Sequence, residues 1–189
     1  MTELPLHSPP PAAAVADPAS LAPGTWTLAG EGTEATFRVG NFWGLMTVRG
    51  RFQTFAGGGR VAADGSLTGR VAIRAVSLTT GNPKRDGHLR SPDFFDAERH
   101  PEVVVTITRG TPQPGGAYAL EGTLEAAGKT QPLTLTATID KRSPDSVTVT
   151  ATADIDRTQL GMTWSPLGMA SSRAALAMSA RFDHQPDAG

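Results

Sequence analysis

One segment gathers most of the side chains able to do chemistry. Between Thr80 and Pro101 stand Lys84, Arg85, Asp86, His88, Arg90, Asp93, Asp96, Glu98 and His100. Several donors in one loop suit a phosphate, diphosphate or carboxylate head group, because a planar guanidinium pairs with such oxygens two bonds at a time. Lys84, Arg85, His88 and Arg90 are therefore the candidate head-group residues. The plainer reading is that Arg85 and Asp86, or their neighbours, form internal ion pairs that pin the loop, and spacing alone slightly favours it. His88 with Asp86 or Asp93 also has the composition of an acid–base pair.

Other chemistries find little support. There is no G-x-S-x-G elbow, no HExxH and no GxxxxGK[ST] loop, so no catalytic residue is assigned. The chain has no cysteine, which removes disulfide scaffolds, thiol nucleophiles and thiolate metal sites. Asp86, His88, Asp93, Asp96 and Glu98 read as loop charges and helix-start residues, so no metal or cofactor is expected. A net charge of -1 gives no electrostatic footprint for nucleic acid.

The elements that must carry this segment are strands. With 21 Gly and 15 Pro spread along 189 residues, a helical bundle is excluded and short strands joined by turns are favoured. Leu133, Leu135, Ala137 and Ile139 alternate with three threonines. Val147, Val149, Ala151, Ala153 and Ile155 alternate with Thr148, Thr150, Thr152 and Asp154. Leu176, Met178, Ala180 and Phe182 repeat the scheme. This period of two predicts half-buried strands, about eight to ten in all. Hairpin turn signals such as Asp64-Gly65, Gly128-Lys129 and Ser143-Pro-Asp145 make the sheet antiparallel.

The apolar faces must meet, by closing a barrel or by stacking two sheets. Many inward positions are Ala, Gly, Val or Thr. A barrel of roughly eight strands is either filled by side chains or holds one small ligand. Small inward residues suit a cavity, but they also suit walls that approach closely, and the residues alone leave the two even.

The stretch from Gly81 to Pro101 breaks the strand pattern. Ser91 and Pro92 have the N-cap and first-turn signature of a short helix, with Asp93 in its first turn. At least one of Phe94 and Phe95 should pack on the barrel end. Residues 1–24 hold Pro and Ala without periodicity and read as a disordered arm, followed by a barrel domain over 25–184 and a tail at 185–189. No secretory signal or membrane-span pattern is recognisable, so a cytoplasmic location is expected.

Trp26-Thr-Leu28, Phe37-Arg-Val39, Val48-Arg-Gly-Arg-Phe52, Ser77-Leu-Thr79, Gly122-Thr-Leu124, Gly128-Lys-Thr130 and Asp156-Arg157 fall in order around Arg85-Asp-Gly-His-Leu-Arg-Ser-Pro-Asp-Phe-Phe-Asp96. With these residues the chain resembles the YceI-like family of lipocalin-like polyisoprenoid-binding proteins. It departs at Gly40-Asn41, where relatives often carry a histidine. The resemblance implies an all-β, antiparallel, eight-stranded lipocalin-like barrel with a short helix in the Gly81–Pro101 insertion. It also implies a pore for a long-chain amphiphile such as a polyisoprenoid, quinone or fatty amide, a binding rather than catalytic role, and a homodimer by analogy. Candidate lining residues are Phe37, Val39, Val48, Phe52, Val71, Ile73, Leu89, Phe94, Phe95 and Trp164. Two rivals stand beside this reading: an enzyme acting on an amphiphile through His88, and a protein-interaction module whose barrel is fully packed.

Overall fold

A computed structural model describes residues 21–41 and 45–185. Among the described residues there are nine strands: β1 (Gly24–Asn41), β2 (Met46–Phe52), β3 (Phe55–Val61), β4 (Leu67–Arg74), β5 (Glu102–Pro112), β6 (Ala117–Ala126), β7 (Lys129–Ser143), β8 (Ser146–Asp156) and β9 (Arg173–Gln185). One helix, α1 (Pro83–Arg90), interrupts them. All pairings are antiparallel, and β9 returns to β1 to close the ring.

Nine strands fill eight places. The lower part of β1 pairs with β3, Thr27 opposite Gly58, while its upper part pairs with β2, Ala35 opposite Phe52. β2 and β3 are thus two halves of one staggered strand, broken at Gln53-Thr54. The barrel is the expected eight-stranded, closed antiparallel one.

Alternation sets the faces as expected. On β7, Leu133 and Ala137 are buried while Thr134, Thr136 and Thr138 are exposed. Leu135, Ala153, Ile155, Leu176 and Met178 point inward yet are only half-buried. Their accessible surface faces an internal space rather than bulk water, because all five line the cavity described below. Two apolar clusters divide the interior. The upper one includes Phe37, Phe52, Leu78 and Leu160; the lower one is built on Trp26, Tyr118 and Val147.

The helix starts nine residues earlier than the Ser91-Pro92 signature predicts. Asn82 is the N-cap, its side chain accepting from the Arg85 amide at 3.2 Å, and Pro83 opens the helix. Ser91 instead closes it, its hydroxyl donating to the His88 carbonyl at 2.7 Å. β1 begins at Gly24, and the chain just before it packs against the barrel. Leu21 is buried in the lower cluster, and Trp26 Nε1 donates to the Ala22 carbonyl at 3.0 Å. Residues 1–20 and 186–189 lie outside the described residues. The interior is not filled by side chains.

Candidate functional site

The upper interior holds a cavity of about 740 Å³. Small and branched side chains make its wall: Ala35, Ala126, Ala153 and Ala174 leave the space, and Ile73, Val103, Leu124 and Leu133 coat it. That volume falls within the range of about 300–1,000 Å³ usual for small-molecule sites. Every ionisable side chain lining it is basic: Lys84, Arg85, His88 and Arg157. The cavity therefore joins an apolar chamber to a cationic opening.

The insertion after β4 places the opening. Arg51 and Thr79 exchange backbone hydrogen bonds of 2.9 Å, which pairs the free edge of β2 with the chain entering α1. Asp86 then anchors the helix. Its carboxylate is buried and accepts from the Thr79 hydroxyl at 3.0 Å, the Thr80 amide at 2.8 Å and the Thr80 hydroxyl. Burial pushes this carboxyl up, but the bonds from Thr80 and Thr79 and the Arg90 charge outweigh it and hold it below the ordinary carboxylate value. The loop is pinned, as the plainer reading held, though through Thr80 rather than an Arg85–Asp86 pair. Arg85 Nε donates to the same Thr80 hydroxyl at 2.8 Å while still lining the cavity.

Two aromatic groups follow from the turn after α1. Phe95 turns into the wall and meets Phe52 edge-on, ring centroids 5.6 Å apart, with Phe37 at 6.4 Å. Phe94 stays with His88 and Trp164, at 5.1 and 5.7 Å. Both phenylalanines thus pack on the barrel end. His88 Nε2 lies 3.1 Å from Asp93 Oδ2.

Of the expected lining residues, Phe37, Val39, Val48, Phe52, Ile73, Leu89, Phe94, Phe95 and Trp164 all border the cavity. Val71 does not. It faces inward at a lower level and borders a second apolar cavity of about 120 Å³. Of the expected head-group residues, Lys84, Arg85 and His88 stand at the opening, whereas Arg90 is turned away. The Arg90 guanidinium donates to the Leu78 carbonyl and ties α1 to the chain that precedes it.

Arg157 also lines the cavity, a placement that the Asp156-Arg157 pair does not announce in the sequence. It is buried without a carboxylate partner at its guanidinium. Nε donates to the Ser171 carbonyl at 2.7 Å, and the terminal nitrogens reach the carbonyls of Met162, Trp164 and Ala170. Burial lowers its affinity for the proton and neighbouring Asp156 restores part of it. These bonds hold the loop after β8 over the side of the opening. Asn41, Met46 and Asn82 also reach the rim. Among the described residues no group of three His, Asp or Glu side chains could hold a metal ion, and no helix is long and apolar enough to cross a membrane.

A closed antiparallel barrel around an apolar chamber with a polar mouth defines a lipocalin-like architecture. The model of the YceI-like domain matches residues 26–182, so the chain belongs to the YceI-like family. A UPF0312 protein of Vibrio campbellii is 31% identical over 105 residues, which is 53% of this chain and 54% of the relative. Another, from Photorhabdus laumondii, is 40% identical over 67 residues, covering 35% of this chain and 34% of the relative. These matches span about half or less of the curated relatives. Among solved structures, BcnA of Burkholderia cenocepacia superimposes with a TM-score of 0.73 at 16% identity, covering 82% of this chain and 98% of the other. A polyisoprenoid-binding domain from Saccharophagus degradans gives 0.68 at 14% identity, covering 85% and 98%. Likeness at these identities establishes the fold.

Proposed function

We propose that this protein binds a long-chain apolar amphiphile, such as a polyisoprenoid, quinone or fatty amide, with the chain in the cavity and the head at the basic opening. One observation carries the reading: a wall of apolar side chains around about 740 Å³ whose lining holds basic groups and no carboxylate. Each buried methylene is worth about 0.8 kcal/mol, so ten contribute about 8 kcal/mol before the costs of association. Affinity then needs few polar contacts, and Lys84, Arg85 and His88 serve to orient the head. The polyisoprenoid-binding relative of the same fold supports a prenyl chain. A carrier or sequestering role follows from a ligand held in this way.

Displacement of a fluorescent polyene fatty acid tests the reading. Prenyl or acyl amphiphiles should displace it from the wild type, and Ala153→Trp, which sets an indole across the chamber, should weaken binding. No binding of any prenyl or acyl probe would overturn the proposal. The His88–Asp93 pair favours one second reading, acid–base chemistry on the head group. Turnover that vanishes in His88→Ala while binding persists would support it.

A further inference from the structure

Of the five large apolar side chains exposed among the described residues, four stand on the hairpin and the loop that border the opening: Leu45, Met46, Trp164 and Leu167. Met46, just after Leu45, opens β2 opposite Asn41, and Leu167 sits in the loop that Arg157 holds. The loop and the hairpin are joined below these residues, where the Ser171 amide donates to the Gly40 carbonyl at 2.8 Å. Leu167 is 91% exposed and has a φ of 52°. A leucine at such a turn costs both left-handed backbone strain and apolar exposure, and glycine or asparagine would relieve both. In water this arrangement has no advantage.

Charge surrounds the same end. Arg38 and Arg49 stand directly opposite one another on the exterior of β1 and β2, both exposed, and neither makes an ion pair with a described residue. Like charges at such a position repel. Arg49 is four residues from Leu45, about 13 Å along a wall tilted by about 40°, hence roughly 10 Å below it. That is about one Debye length at 0.1 M salt. Lys84 and Arg85 add positive charge at the rim itself.

We propose that the open end of the barrel docks on an anionic lipid bilayer, with Leu45 and Leu167 entering the headgroup boundary and the arginine pair facing its charge. Exposed apolar side chains flanked by basic groups are the composition of an interfacial anchor, and an anionic leaflet supplies the missing counter-charge. Docked in this way, the cavity opens directly onto lipid, so an apolar chain passes between bilayer and barrel without crossing water. The surface extends beyond the binding reading, because Leu45, Leu167, Arg38 and Arg49 do not line the cavity.

The test is co-sedimentation of the full chain with vesicles of phosphatidylcholine alone and of phosphatidylcholine mixed with phosphatidylglycerol. The wild type should partition at least about tenfold more strongly onto the mixed vesicles. Leu45→Asp with Leu167→Asp should reduce that partition by about tenfold or more. Arg38→Gln with Arg49→Gln should lower the preference for the anionic vesicles. Circular dichroism and displacement of the polyene probe in solution should stay unchanged in both double variants. Failure of the wild type to bind anionic vesicles, or full retention by Leu45→Asp with Leu167→Asp, overturns the proposal. Vesicle binding without probe binding would instead contradict the cavity reading alone.

Discussion

His88 stands edge-on to Trp164 with ring centroids 4.5 Å apart. This contact joins the helix inserted after β4 to the loop that follows β8, the two segments that border the cavity opening. An aromatic pair of this geometry is worth about 0.5–1.5 kcal/mol. It fastens the rim across two elements that are far apart in sequence.

Removing that contact should speed ligand release. His88→Ala is expected to raise the dissociation rate of a bound probe by about two- to tenfold, the range that pair energy allows. His88→Phe, which keeps the edge-on contact, should release at close to the wild-type rate. Stopped-flow displacement measures both. Release from His88→Ala at the wild-type rate would show that the rim contact does not gate the cavity.

Asp86→Asn should destabilise the fold by about 1–3 kcal/mol at neutral pH, because an amide donor would replace one of the oxygens that accept from Thr80 and Thr79. The pH dependence has a definite sign. The folded carboxyl lies below its ordinary value of 3.8, so its contribution is fully present above about pH 4. It is lost as pH falls through the folded value. Urea melts of wild type and Asp86→Asn at stepped pH should therefore show a gap that is widest near neutrality and closes in acid.

Gly50 is a close-approach position. A Cβ there would fall 2.3 Å from Phe37 Cζ, so the ring lies directly on the β2 backbone. Gly50→Ala must push Phe37 into the chamber or displace its strand, and overpacking of this kind costs about 1–3 kcal/mol. A lowered Tm with weakened probe binding is expected. An unchanged Tm and an unchanged affinity would contradict the placement of Phe37.

The strands were legible because period-two alternation is local: Leu133 to Ile139 and Val147 to Ile155 declare their inward faces without reference to the rest of the chain. The cavity was less so. Alanines such as Ala35 and Ala153 fit a tight barrel as well as a hollow one, and only the closed ring shows the space between them. Asn82-Pro83 and Ser91-Pro92 carry equivalent helix-start signals. With the start at Asn82, Asp86 reaches back six and seven residues to Thr80 and Thr79, a side-chain contact that cap signals alone do not announce. Arg157 escaped notice because its partners are carbonyls of Met162, Trp164, Ala170 and Ser171, and no side-chain type marks them. Val71 had the right face but the wrong depth, since alternation gives direction and not height along the barrel.

Val105 borders both the upper and the lower cavity. Val105→Ala should join them and move the preferred chain length upward, each added methylene then contributing up to about 0.8 kcal/mol. Titration with a homologous series of prenyl or acyl amphiphiles reads the shift. The same length optimum in both proteins would show that Val105 does not separate the two spaces.

Native mass spectrometry of protein purified from cells reads whether an apolar ligand completes the core of the barrel. The wild type should carry an added mass that organic extraction removes and identifies as a long-chain amphiphile, and Ala153→Trp should carry less of it. Wild-type protein that carries no added mass and acquires none from prenyl or acyl amphiphiles would contradict the account.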